Sequence, residues 1–277
     1  MTIFTVLDYA LRIIVVLAFG FLSIREGLVD KTGFIAGLVI GLLVILFGGW
    51  NWFIVLLSFH IIAGIVTKWH YDYKRRLGVA EEKGGARSWK NVVANGIVAA
   101  AMTVFEAFIG GQVWAFAYLA AVAAAMGDTL ATEIGLLNPS PPRLITKPWL
   151  RVEPGTSGGV SLLGYTASAL AGAIVGFLGY FLGVVPEAEL VDFPWFLLLV
   201  ITSTLIGVTV DSAIGATIQA QYRCTVCGKL TEKPIHCGRP AKLIKGYEWI
   251  DNHVVNIFGI GSAALAAILL SAITGLT

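Results

Sequence analysis

The sequence predicts an all-α, polytopic transmembrane helical bundle of about eight spans with both termini outside, and three observations lead there. Hydrophobic residues make up 57% of the 277 and charged residues only 13%, against roughly 25% charged in an average soluble domain. Apolar runs close to the ~20 residues needed to cross a bilayer core recur along the whole chain. Finally, 18 of the 19 Lys and Arg residues collect in alternate loops, the signature of connections on the cytoplasmic side.

In order, the runs predict spans near 3–22, 33–50, 51–67, 91–109, 113–137, 159–183, 194–215 and 252–276. Only Gly48, Gly49 and Asn51 separate the second from the third, so a count of seven also fits. The first run has neither a basic leader nor a small-residue cleavage site and reads as a retained helix. Arg12, the one cation inside a span, lies one helical turn from Asp8. Glycines at near-helical spacing, such as Gly33, Gly37 and Gly41, let helices approach closely.

The basic loops are 68–90, 138–158 and 216–250, with Arg25 and Lys31 in a shorter one, whereas the 184–193 loop is acidic through Glu187, Glu189 and Asp192. This describes a single integral membrane domain over 1–277, set in the lipid bilayer of the cell membrane, with its chemistry on the cytoplasmic side. The net charge of +2 gives no reason to expect nucleic acid. A basic inner face suits an anionic ligand instead.

Ionisable groups within spans are costly in lipid and mark functional candidates. Asp128 and Glu133 lie in the inner half of the fifth span, in Gly127-Asp128-Thr129-Leu130-Ala131-Thr132-Glu133-Ile134-Gly135. At 100° per residue they point about 140° apart, so one straight helix does not aim both at one ion. Asp128 is the better cavity residue; Glu133 reaches a second site or pairs with a basic loop residue. Asp211 occupies the matching depth in the seventh span, followed by Gly215 and Gln219, and Asn91 with Asn95 and Asn252 with Asn256 add polar pairs at the same depth. Such pairs also serve as packing contacts between helices. Carboxylates from different helices, with amides nearby, form an all-oxygen environment that suits Mg²⁺ bridging phosphates.

Between the fifth and sixth spans, Arg143, Lys147 and Arg151 precede the turn Pro154-Gly155-Thr156-Ser157-Gly158-Gly159-Val160-Ser161. A glycine-rich turn opening a long helix exposes backbone N–H groups where anions bind. An ordinary turn flanked by topological charge is the competing account. Lys74, Arg87 and Asn91 in the preceding basic loop are further phosphate candidates, beside Glu81 and Glu82. All three cysteines fall in the last basic loop, and Cys224, Cys227, His236 and Cys237 have the composition of a small zinc knuckle. Adjacent His236 and Cys237 are awkward as joint ligands, so His253 or water is expected to complete such a site.

The strings Gly127–Gly135, Pro142-Arg143-Leu144-Ile145-Thr146 and Pro154–Ser161 resemble the signature of the phytyl-phosphate kinase family, which includes eukaryotic transmembrane protein 19. The likeness extends from Arg75–Asn95 through Asp211–Gln219 to Asp251–Asn256, and the family is similar in plan to CTP-dependent dolichol kinases and phosphatidate cytidylyltransferases. The cysteine loop is not part of that pattern. The resemblance implies phosphoryl transfer from a nucleoside triphosphate, CTP, to an isoprenoid monophosphate such as phytyl or geranylgeranyl phosphate. It implies Asp128, Asp211 and Glu133 toward Mg²⁺, with Arg143, Lys147, Arg151 and Gly155, Thr156, Ser157, Gly158, Gly159 and Ser161 toward phosphates. A cytidylyltransferase would use similar groups, and a transporter is the non-enzymatic alternative.

Overall fold

The computed structural model describes residues 3–77, 83–185 and 192–274. Glu81, Glu82, Glu187 and Glu189 lie outside them. Eight long apolar helices run through the described residues: α1 (Ile3–Arg25), α2 (Lys31–Phe47), α3 (Gly49–Lys68), α5 (Trp89–Ile109), α6 (Gln112–Gly135), α7 (Leu162–Phe181), α8 (Phe193–Thr217) and α9 (Asn252–Thr274). Seven are long and apolar enough to cross a membrane. The other, α2, has 17 residues, about 26 Å at 1.5 Å per residue, slightly short of a ~30 Å hydrocarbon core. A short helix, α4 (Tyr71–Leu77), follows α3.

The breaks follow from local chemistry. Gly48 separates α2 from α3, and Gly49 takes a φ of +81° that a side chain would disfavour, so Asn51 falls inside α3. Asp30 caps α2, accepting from the N–H groups of Thr32 and Gly33, and bonds Lys83 at 2.6 Å. These bonds hold the Asp30 carboxyl far below the ordinary carboxylate range, the Lys83 bond most of all.

Helix α6 is the axis of the bundle, packed against α3, α5, α7, α8 and α9. Every residue from Ala115 to Gly127 is buried. Its run of alanines lets neighbours come close: a Cβ on Gly127 would sit 2.9 Å from Thr204 and 3.5 Å from the Ser168 Cα. Ser168 bonds the Gly127 carbonyl at 3.0 Å, and the fully buried Tyr118 hydroxyl donates to the Trp52 carbonyl at 2.6 Å. These two buried hydroxyls are thus partnered across helices.

The connections between α1 and α2, α3 and α5, α6 and α7, and α8 and α9 gather at one end of the bundle, the basic end. Two carry β-structure. Strands β1 (Arg143–Leu144), β2 (Lys147–Arg151) and β3 (Gly159–Val160) form one small antiparallel sheet in the order β2-β1-β3. Strands β4 (Gln221–Arg223), β5 (Leu230–Thr231) and β8 (Lys242–Lys245) form another, and β6 (Ile235–His236) pairs with β7 (Arg239–Pro240).

Candidate functional site

A cavity of about 680 Å³ opens at the basic end between α5, α6, α7, α8 and α9, within the usual ~300–1,000 Å³ of small-molecule sites. Asp128, Glu133, Asp211, Arg87, Asn91, Asn95, Gln219, Asn252 and Asn256 line it, as does the whole turn from Gly155 to Ser161. Residues scattered over 170 positions of sequence therefore meet in one place.

Two of the carboxylates come from different helices. Asp211 on α8 lies within electrostatic reach of Asp128 on α6 and of Glu232. Gly259 on α9 makes room for it, since a Cβ there would stand 2.8 Å from the Asp211 Cβ. Buried atoms of three cavity residues, Asp211 Oδ2, Gln219 Nε2 and Asn256 Oδ1, have no hydrogen-bond partner among the described residues. Leaving such atoms dry and unpaired costs about 1–3 kcal/mol each, so a polar ligand or water belongs in their midst. The amides are otherwise tied together: Asn95 bonds the Asn91 carbonyl at 2.9 Å, and Asn256 reaches Asn95 at 3.4 Å, joining α5 to α9.

Glu133 also touches the cavity, yet its carboxylate is buried in an ion pair with Lys74. Lys74, a phosphate candidate by sequence, is elsewhere: 1% exposed, it donates to the carbonyls of Val66 and Thr67 at the end of α3 as well as to Glu133. The short α4 folds the chain back beneath α3, after His70 at φ +52°, and its lysine satisfies carbonyls that the helix end leaves open. Lys245 does the same for α8, bonding the Gly215 carbonyl at 2.7 Å, and burial lowers its ammonium pKa.

Arg143, Lys147 and Arg151 do not line the cavity. They stand exposed on the β1–β2 hairpin, Arg143 bonding the Pro148 carbonyl at 2.7 Å. A hairpin with a two-residue connection projects its side chains outward, which the spacing of the cations did not reveal. The glycine turn lines the cavity, though it uses some of its donors on itself. Thr156 and Gly159 bond the carbonyls of Glu153 and Thr156, and Ser161 caps α7 by accepting from the Gly164 N–H at 3.0 Å. Gly158, at φ +80°, packs where a Cβ would fall 2.4 Å from the Ala216 nitrogen, pinning the turn to the end of α8.

The residue that sequence reasoning missed is Glu232. The cysteine loop folds over the cavity mouth and contributes Thr231, Glu232, Lys233, His236 and Cys237 to its lining, with Ser157 donating to Glu232 at 2.9 Å. No periodicity marks a lone acid in such a loop. The ligating atoms of Cys224, Cys227, His236 and Cys237 lie within 4.8 Å of one another. His253, expected as a completing ligand, is not in this group, because Cys237 adopts φ +53° and so turns its thiol toward the same point as the preceding imidazole. The N–H of Cys227 lowers the Cys224 thiol to about 6, whereas hydrogen bonding with Cys227 raises Cys237 to about 11.

Beside the polar cavity runs an apolar groove of about 120 Å³ between α1, α2, α3 and α5. Arg87, Asn91 and Asn95 line both spaces. The Arg87 guanidinium is 3.3 Å from the Thr129 hydroxyl, so α6 and the groove meet at this side chain. Within the groove Ser23 bonds His60 at 2.8 Å, and a Cβ on Gly37 would meet open space.

Comparison with known proteins agrees with this architecture. The chain is 32% identical over 266 residues to Protein PGR of Arabidopsis thaliana, covering 87% of this chain and 88% of that one. It is 31% identical over 182 residues to an uncharacterized membrane protein of Methanocaldococcus jannaschii, with 65% and 74% coverage. Protein VTE6, chloroplastic, of Arabidopsis thaliana is 26% identical over 251 residues, with 87% and 65% coverage. No solved structure matches. The model of the integral membrane protein DUF92 family matches residues 14–264, and the chain belongs to that family of multi-pass membrane proteins.

Proposed function

We propose that this protein is a membrane-embedded kinase that moves the γ-phosphoryl group of a nucleoside triphosphate, CTP, onto an isoprenoid monophosphate such as phytyl or geranylgeranyl phosphate. One observation carries the reading. Carboxylates from two helices, Asp128 and Asp211, share a polar cavity with a glycine turn, and that cavity adjoins an apolar groove. A substrate with a charged head for the cavity and a long apolar tail that enters the groove and runs on into the surrounding lipid suits such a pair of spaces. The motif resemblance to phytyl-phosphate kinases supports the same reaction, and the relation to Protein VTE6, chloroplastic, is consistent with it.

The donor set fits Mg²⁺, a cation that takes oxygen ligands and keeps several waters. Asp128 and Asp211 would hold it, and the unpartnered Oδ2 of Asp211 is the atom that most needs a cation. Bound there, the ion would neutralise charge on the triphosphate. Glu133 is engaged by Lys74 and serves to position that end of α6. The Gly155–Ser161 turn and Arg87 orient phosphate oxygens, and Gln219, Asn252 and Asn256 offer amides to the nucleotide. An oxygen of the isoprenoid phosphate attacks the γ-phosphorus, the bond from that phosphorus to the β,γ-bridging oxygen breaks, and CDP leaves. The attacking phosphate is already an anion and needs no general base, so catalysis rests on alignment and charge neutralisation. The basic end would face the cytoplasm of the cell membrane, where nucleotides are available.

The test is incubation of detergent-purified protein with Mg²⁺, geranylgeranyl monophosphate and CTP labelled at the γ-phosphate. Label on the lipid, lost in Asp128→Asn, is the expected result. Label in pyrophosphate would replace the proposal with cytidylyl transfer. No turnover with any prenyl phosphate or nucleotide would overturn it in favour of transport.

A further inference from the structure

The loop between α8 and α9 carries two hairpin ends that face each other. The first is Cys224-Thr225-Val226-Cys227-Gly228, where the N–H groups of Val226 and Cys227 point at the Cys224 sulfur at 3.3 and 3.4 Å and Gly228 has φ +73°. The second joins β6 to β7 through Cys237 and Gly238, both at positive φ (+53° and +70°), as a two-residue type I′ connection requires. Both ends carry sulfur on a tight turn that contains a glycine at positive φ. The Cys227 sulfur lies 3.6 Å from Nδ1 of His236, and the Cys237 sulfur 3.2 Å from it. With zinc–sulfur bonds of about 2.3 Å and zinc–nitrogen bonds of about 2.0–2.1 Å, a tetrahedral site sets sulfur and nitrogen ligands roughly 3.6 Å apart. The four side chains are thus nearly at ligand spacing already.

We propose that Cys224, Cys227, His236 and Cys237 bind one zinc ion, and that this ion clasps the cysteine loop over the mouth of the polar cavity. Three sulfurs and one imidazole suit a closed, structural zinc site rather than a catalytic one. Nδ1 is the ligating nitrogen. The loop is otherwise built of strands two to four residues long, too short to hold a fold by pairing alone, so a central cross-link explains how it stays ordered. Glu232 sits between the two hairpin ends in sequence, and its bond to Ser157 fastens the clasped loop to the glycine turn. Gly246, at φ +78°, seats the other end of the loop against the Gln219 carbonyl, where a Cβ would intrude to 2.1 Å. The inference stands apart from the phosphotransferase reading, because it concerns ligands outside the membrane and its test reads no turnover.

The test is metal analysis of the full-length protein purified in detergent from zinc-supplemented cells without chelator. One zinc per chain is expected. Exchange with Co²⁺ should give the thiolate charge-transfer and tetrahedral d–d absorption of a three-sulfur site, with both lost in a Cys227→Ser, Cys237→Ser double variant. Trypsin should cut at Lys229 and Lys242 after zinc removal and spare them before. Far less than one zinc per chain together with an octahedral cobalt spectrum would overturn the site. Zinc bound without change in the trypsin pattern would overturn the clasp. The cobalt titration uses the unaltered chain, so a variant that fails to fold does not spare the proposal.

Discussion

Helices α1 and α6 are both membrane-spanning by length and apolar content, and they sit at opposite extremes of the fold. α1 is the more hydropathic of the two, yet 11% of its span is buried inside the protein, against 83% for α6. In water the more apolar helix would be the core. In lipid, where the surroundings are as apolar as leucine, burial goes to the helix whose small side chains permit close approach. Alanine and glycine from Ala115 to Gly127 earn α6 its five neighbours, while Phe4, Leu7, Ile14 and Phe21 of α1 face outward. Each helix also carries an ion pair, and the two differ in the same sense. Asp8 and Arg12 pair at 2.8 Å within one partly exposed turn, whereas Glu133 and Lys74 pair across helices in full burial.

The largest effect expected from breaking this contrast is chemical. Asp128→Asn keeps the size of the side chain and removes a charge from the cavity end of α6, so kcat should fall by about 10²–10³ with the fold intact by circular dichroism. Comparable in free energy, at about 1.36 kcal/mol per tenfold in rate, is Lys74→Ala, which removes the cation paired with buried Glu133 and should cost ~3–5 kcal/mol of stability, read by denaturation in mixed micelles. Arg12→Leu on α1 removes one interhelical bond, from its guanidinium to the Ile45 carbonyl, and should cost only about 1 kcal/mol. Equal losses would erase the distinction between the two pairs. Packing gives a third test: Ala121→Leu on α6 should destabilise by ~1–3 kcal/mol through overpacking, while Ile14→Phe on α1 should stay within about 0.5 kcal/mol. The smallest effect concerns the groove bordered by α1. Gly37→Leu should fill open space and raise KM for a long-chain prenyl phosphate roughly tenfold, the equivalent of one to two displaced methylenes at ~0.8 kcal/mol each, without changing kcat or the KM of a short-chain analogue.

Spans and their order were legible because a bilayer imposes length and charge asymmetry on every helix, and all eight expected runs became long helices. That Asp128 and Asp211 would share a cavity was legible because lipid excludes charge unless something uses it, and the place of the glycine turn because it opens a long helix. What hydropathy does not encode is which cations turn inward. Lys74 and Arg143 carry the same topological signal, yet one is sealed beneath α3 and the other stands exposed on a hairpin, a difference set by a seven-residue helix and a two-residue turn. Glu232 was invisible for a related reason: only the folding of the cysteine loop over the cavity gives it a place. The ligand geometry of His236 and Cys237 depended on a positive φ that neighbouring residue types do not announce.

The buried Lys74–Glu133 pair also orders the making of the protein. Its members are 59 residues apart, so the lysine leaves the ribosome first and must wait, hydrated, while α5 is threaded into the bilayer. α6 then arrives with two carboxylates in its final third and too few large side chains to settle comfortably among lipids alone. Its neighbours α7, α8 and α9 are still unmade. The central helix of the mature bundle is therefore the one most dependent on help during insertion, and Lys74 is the anchor at which its charged end can first come to rest.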